Sequence, residues 1–242
     1  MAQRIQGITD AQASGVVKEM FAGATRLLGR TANLFRILAH SPYLARWFLP
    51  FVAAVRQPNA GAVSAPRLRN LAVLKTSTLN GCKYCTTHNL MHGQLLGLTD
   101  AEFEALQGDY RSSALFDERE KAVLAWAEAM TLNTAPRDHA AWDAMRRLFS
   151  DAEIVEISLI TAMFNMINRL NDSLWTELEP EEVNRRQKNA VGVTAPAIEE
   201  YVRGVCTGED PAAARRAGAL APERQASSFS TAVHAAARFP RS

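Results

Sequence analysis

Between Gly81 and Gly93 the chain reads GCKYCTTHNLMHG, which sets Cys82, Cys85, His88 and His92 within one short stretch. It uses two of the three cysteines and two of the five histidines. A thiolate is a nucleophile, and an imidazole holds or moves a proton near neutral pH, so these residue types point to thiol chemistry coupled to proton transfer. On a helix, positions three or four apart share a face. Cys85 therefore meets Cys82 behind it and His88 or Asn89 ahead, with His92 a turn further on. Cβ atoms at that spacing are roughly 5–6 Å apart, and a small relaxation reaches the ~3.5–4.5 Å of a disulfide, so the pair can open and close. A helix N-terminus or a protonated imidazole would make such a thiol more reactive.

Two blander readings compete. Isolated cysteines often act as small buried hydrophobes, and histidines as satisfied core residues. C-x2-C followed by two histidines also contains zinc ligand types, but four side chains strung along one continuous helix cannot wrap around an ion, so no metal is expected without a second chain.

The elements that must position these groups follow from the periodicity. Pro66 opens a helix over 66–79 with Leu68, Leu71 and Leu74 on its apolar stripe. Asn80 and Gly81 suit a helix start, which puts Cys82 in a first turn, and Gly97 stops that helix. Thr99 with Glu102, and Ser150 with Glu153, spell capping boxes. The second opens the most apolar helix of the chain, expected at the centre of the domain or at a subunit interface. Its Asn165, Asn168, Arg169 and Asn171 are costly to bury without partners, and a structural role is favoured for Arg169. Upstream, Asn33 is expected to cap a short helix, Ser41-Pro42 to open another, and Pro50 to kink or break it. Residues 57–65 read as a surface connection.

The chain has 242 residues and a formal net charge of +2. That length suits one substantial helical domain, taken as 1–189, followed by an Ala/Pro/Gly/Arg-rich extension, 190–242, that is partly ordered. A helix over 197–205 is expected within the extension, and Cys206, with no neighbouring Cys or His, outside the chemistry. The charge balance gives no electrostatic footprint for nucleic acid. The N-terminus lacks a signal-peptide layout, and no apolar run approaches a membrane span. The expectation is a soluble cytoplasmic protein, where a C-x-x-C pair is catalytic or metal-binding more often than structural.

The order of segments, AHSPYLARW, then PRLRNLAVLKTSTLNGCKYCTTHN, LGLTDAEFEAL, FDEREKAVLAWAEAMT and FSDAEIVEISLITAMFNMINRLN, resembles the alkylhydroperoxidase D-like branch of the carboxymuconolactone decarboxylase superfamily over roughly residues 15–180. The resemblance implies an all-α, oligomer-forming domain with thiol peroxidase or disulfide-reductase activity. It makes Cys85 the peroxidatic cysteine and Cys82 the resolving one, whereas the helix-terminus argument favours Cys82. The family's proton relay uses a histidine four residues after the second cysteine and a glutamate twelve before the first. Here Asn89 and Asn70 stand at those positions, and His88 is expected to take over because i+3 and i+4 both face Cys85.

The expected function is thus cofactor-free reduction of hydrogen or organic hydroperoxides. The catalytic set would be Cys85, Cys82 and His88, with Asn89, His92 and Asn70 as secondary pocket residues. An external dithiol or disulfide reductase would be the partner, and the chain would form a homo-oligomer. The alternatives are a cofactor-free decarboxylase or lactone-processing enzyme, which has no need of the cysteine pair, and a non-catalytic redox-sensing oligomer.

Overall fold

The computed structural model describes residues 2–186 and 192–207. Most of the expected extension, residues 208–242, lies outside them. Among the described residues the regular elements are helices, joined only by an isolated bridge between Asn59 and Thr194. None of these helices is long and apolar enough to cross a membrane.

Two helices form the middle of the packing, α4 (Pro66–Leu79) and α9 (Asp151–Leu174), and they lie against each other. Helix α4 is buried on every side, so its polar residues need internal partners. Thr76 takes a hydrogen bond from Thr131, Ser77 Oγ accepts from Asn168, and Lys75 donates to the Leu106 carbonyl and pairs with Glu128. Helix α9 buries one face and leaves Val155, Leu159 and Met166 exposed. Around this pair stand α5 (Lys83–Leu95), α6 (Asp100–Gln107), α7 (Glu118–Thr131) and α8 (His139–Leu148). The boxes at Thr99/Glu102 and Ser150/Glu153 form as expected, and Asp117/Glu120 adds a third at the start of α7.

The N-terminal helices α1 (Gly15–Leu28), α2 (Asn33–Leu38) and α3 (Pro42–Arg56) build a second apolar cluster. Three expectations change here. Helix α3 runs through Pro50 to Arg56 without breaking. The cap of α2 is Ala32, and Asn33 is its first helical residue, because a distant carboxylate, Glu179, accepts from the Asn33 N–H. The connection 57–65 is pulled inward at both ends. Gln57 and Ser64 are buried because the Arg69 guanidinium holds their carbonyls, while Glu156 of α9 accepts from the Val63 and Ser64 N–H groups.

After the short α10 (Glu181–Asn184) comes α11 (Ala195–Thr207), within the residues expected as an extension, and it packs against α1 and α3. Its Tyr201 and Val205 are buried. Tyr201 lies so close to α1 that a Cβ on Gly23 would fall 2.1 Å from its ring. Gly23→Ala is therefore expected to lower stability by about 1–3 kcal/mol by overpacking. Urea unfolding reads the loss, and proteolysis near Arg203 reads the loosening of α11. An unchanged unfolding midpoint would mean that the ring swings aside freely.

Candidate active site

The cysteine pair is placed by the way α4 stops. Gly81 has φ +70°, its N–H reaches the Thr78 carbonyl, and the Cys82 N–H reaches the Ser77 carbonyl. That is a Schellman termination with Gly81 in the left-handed position a side chain would disfavour. Asn80 and Gly81 thus end α4, rather than start the next helix as expected. Asn80 is held there by donating to both Asn165 and Asn168. Cys82 is the residue ahead of α5, extended at φ −74° and ψ 96°, and its carbonyl accepts the first turn's hydrogen bond from Thr86. Cys82 therefore lies just outside the first turn, and Cys85 lies inside it.

Both thiols are free and buried, at 0% and 2% exposure. Their environments differ. Cys82 donates to Cys85, which lowers the Cys85 thiol below its ordinary value against the opposing effect of burial; Asn168 and Asn171 assist. The Asn171 amide donates to Cys85 Sγ at 3.2 Å. Cys82 is raised by the same hydrogen bond and by burial. Hydrogen bonds that donate to a sulfur favour its thiolate, so the pair polarises toward Cys85. Asn168 and Asn171, counted from sequence as costly to bury, sit near this thiol. Arg169 points outward and bonds Asn165 of its own helix.

The carboxylate absent at position 70 comes from elsewhere in the chain. His88 Nε2 lies 2.7 Å from Glu179 Oε2 and 2.7 Å from Asn184 Oδ1, and Asn184 is oriented by donating to the Glu179 carbonyl. With two acceptors facing it, Nε2 carries the ring proton. Nδ1 is then the free lone pair, and it is buried without a partner. Glu179 also accepts from Tyr84 Oη at 2.6 Å, and the Tyr84 ring packs edge-on to His88. Burial pushes the Glu179 carboxyl up, but His88, Arg30 and Tyr84 together hold it down to about 2. Glu179 reaches this position because α9 ends in a second Schellman reversal, with Trp175 at φ +51° and the Thr176 N–H on the Asn171 carbonyl. Sequence reasoning missed it. Within the acidic run ELEPEE nothing local distinguishes Glu179 from Glu177, Glu181 and Glu182.

The secondary candidates separate. Asn89 lies beside the cysteines, donating to the Cys85 carbonyl, and Asn70 donates to the Asn89 carbonyl. Asn70 braces α5 against α4 where a Cβ on Gly93 would meet it at 2.5 Å. His92 is buried, and burial with the charges of Arg56 and Arg69 drives it down to about 2, so it is neutral.

Cys85, His88 and Asn89 line one cavity together with Tyr84, Asn171, Arg30 and Arg56, while Asn70, His92 and Cys82 do not line it. Its remaining wall is apolar, including Leu34, Phe35, Phe48 and Phe164. Cys206 is exposed on α11. Among the described residues no three His, Cys, Asp or Glu side chains gather as metal ligands would.

No protein-family model matches the chain, and no curated protein matches it. Solved structures do. The debrominase Bmp8 in its apo form is 21% identical, with a TM-score of 0.61, over 77% of this chain and 97% of that chain. An uncharacterized peroxidase-related protein with an alkylhydroperoxidase AhpD core, from Ralstonia eutropha JMP134, is 20% identical with a TM-score of 0.63, over 77% of this chain and 96% of the other. A protein of unknown function from Agrobacterium tumefaciens is 25% identical with a TM-score of 0.52, over 60% and 96%. The chain has the all-helical alkylhydroperoxidase D-like fold.

Proposed function

We propose that the chain is a thiol-dependent oxidoreductase that reduces organic hydroperoxides through Cys85 and Cys82. The observation that carries this reading is one thiol, Cys85, lowered by hydrogen-bond donors and lining an apolar cavity beside a histidine whose far nitrogen is anchored by a carboxylate. The Cys85 proton passes across the cavity that both residues line to His88 Nδ1, which has no direct partner in the structure, and the thiolate attacks the terminal peroxide oxygen. The S–O bond forms as the O–O bond breaks, giving a sulfenic acid, and His88 returns the proton to the departing alkoxide. The Cys82 thiol then attacks the sulfenic sulfur, forming the disulfide and releasing water. An external dithiol restores both thiols. Glu179 acts through His88 as a positioning residue.

The apolar walls of the cavity suit an organic peroxide better than hydrogen peroxide. The exposed Val155, Leu159 and Met166 on one helix support a homo-oligomer, and a lone C-x-x-C pair suits a reducing cytoplasmic setting. The test is sustained consumption of cumene hydroperoxide under a regenerating dithiol, with intact-mass detection of the Cys82–Cys85 disulfide. One equivalent of oxidation without turnover would replace the enzyme by a redox sensor.

A second reading is reductive dehalogenation at the same thiol pair. The apolar cavity around Cys85 and the likeness to a debrominase favour it. Halide release from a bromoarene in the same assay, without peroxide consumption, would select it.

A further inference from the structure

Two guanidinium groups line this cavity, and three of their donor nitrogens are buried without a partner. Arg30 follows the left-handed Gly29 that ends α1, and Arg56 is the last residue of α3. Arg30 is 6% exposed, its Nε is buried without a hydrogen-bond partner, and so are Nε and Nη2 of Arg56. Among the described residues the ion pairs engage other arginines: 26, 36, 67, 111, 119, 146, 147 and 185. Burying a cation without a hydrogen-bonded partner is costly, and placing two side by side adds repulsion. That cost is visible at Arg56, which burial first and Arg30 second push down to about 10. Arg69, by contrast, is buried but bonded to the Ser64 and Gln57 carbonyls and serves the fold. The Arg30 charge also helps hold Glu179 ionised, but no hydrogen bond accounts for its Nε or for Nε and Nη2 of Arg56.

We infer that the organic substrate carries a carboxylate, which Arg30 and Arg56 bind while its apolar body lies along Leu34, Phe35, Phe48 and Phe164 and its reacting end meets Cys85. This deepens the proposed thiol chemistry by naming the substrate class, and it rests on that reading only for the reacting end. The planar guanidinium fork matches a carboxylate through two parallel hydrogen bonds. A single negative charge also fits a site that holds the Cys85 thiolate better than a doubly charged phosphate would, since like charges repel in a poorly solvated cavity. The step itself is unchanged: the hydroperoxy acid is reduced to the hydroxy acid, Cys85 is oxidised to the sulfenic acid, and the carboxylate takes no part in the electron flow.

The test is calorimetric binding of octanoate and of the isosteric, uncharged octanamide to the full-length Cys85→Ser chain, which cannot turn over. Octanoate is expected to bind at least tenfold more tightly. Arg30→Gln and Arg56→Gln should each erase most of that preference, and Arg56→Lys should keep part of it, with thermal unfolding used to confirm that each variant folds. In the active chain, the ratio of kcat/KM for a carboxylate-bearing hydroperoxide over its methyl ester should fall in the same variants. Equal binding of octanoate and octanamide to the Cys85→Ser chain would overturn the proposal. So would an Arg56→Gln variant that shifts the pH at which Cys85 is alkylated yet keeps the octanoate preference, since Arg56 would then serve the thiolate. A clear octanoate preference with no turnover of any hydroperoxide would support the anion site and remove the peroxidase reading instead.

Discussion

Cys85→Ser is expected to reduce hydroperoxide turnover by roughly four orders of magnitude or more, to the uncatalysed rate, because a serine hydroxyl at that position is neither ionised nor nucleophilic toward peroxide oxygen. Cys82→Ser should behave differently. It keeps the nucleophilic attack by Cys85 and loses the resolving step, so each chain is oxidised once and then stops, with the Cys85 sulfenic acid trapped by dimedone. The hydrogen bond from residue 82 is the largest influence lowering the Cys85 thiol. A serine hydroxyl preserves a donor there, and alanine does not. The pH dependence of iodoacetamide alkylation of Cys85 should therefore stay near wild type in Cys82→Ser and move upward in Cys82→Ala. Peroxide consumption unchanged in Cys85→Ser would end the assignment of roles, and an unshifted alkylation profile in Cys82→Ala would remove the proposed activation by Cys82.

Glu179→Gln is expected to lower kcat/KM by about 10²-fold, the size of effect that loss of a tuned general base produces. The amide can still accept from the Asn33 N–H and Tyr84 Oη with its oxygen, but its NH2 then faces His88 Nε2. That donor competes with the Nε2–H tautomer and favours a proton on Nδ1, so the nitrogen left without a partner stops being a base. The pH–rate profile should change shape, and Glu179→Asp should recover part of the rate, which a purely structural role would not produce. A stability effect accompanies it. The folded carboxyl is held near 2 against an ordinary 4.5. Its charged form is therefore favoured by folding, a contribution of roughly 3 kcal/mol. That stabilisation is complete above about pH 4.5 and is lost as the pH falls toward 2. In Glu179→Gln the stability curve should be flatter across that window, as read by urea unfolding at stepped pH. A slope equal to that of wild type would show that Glu179 is not the group responsible.

The legible parts of this protein were those in which neighbouring residues carry the physics. Capping boxes at Thr99/Glu102 and Ser150/Glu153 need only a hydroxyl and a carboxylate three residues apart, and both form. Pro66 and Pro42 open α4 and α3 because a first-turn proline gives up an N–H that has no helical partner. The boundary at Asn80-Gly81 was harder. The same two residues suit a helix start or a helix end, and only the anchoring of Asn80 by Asn165 and Asn168, eighty-odd positions away, selects the end. Pro50 illustrates the same limit: α3 continues to Arg56 through a residue that local rules expect to kink or break a helix.

By itself the sequence determined the helices, the C-x-x-C with His88 on one face, and the loss of a carboxylate at position 70, because each follows from residue type and short-range spacing. Tertiary structure decided everything that depends on side chains meeting from distant segments. It brought Glu179 back to His88 through the reversal at Trp175, set Asn171 against Cys85, sent His92 and Asn70 away from the cavity, and turned Arg30 and Arg56 toward it. A charge in an acidic run or an arginine at a helix end looks solvated in one dimension. Its burial and its partners are fixed only when the helices pack.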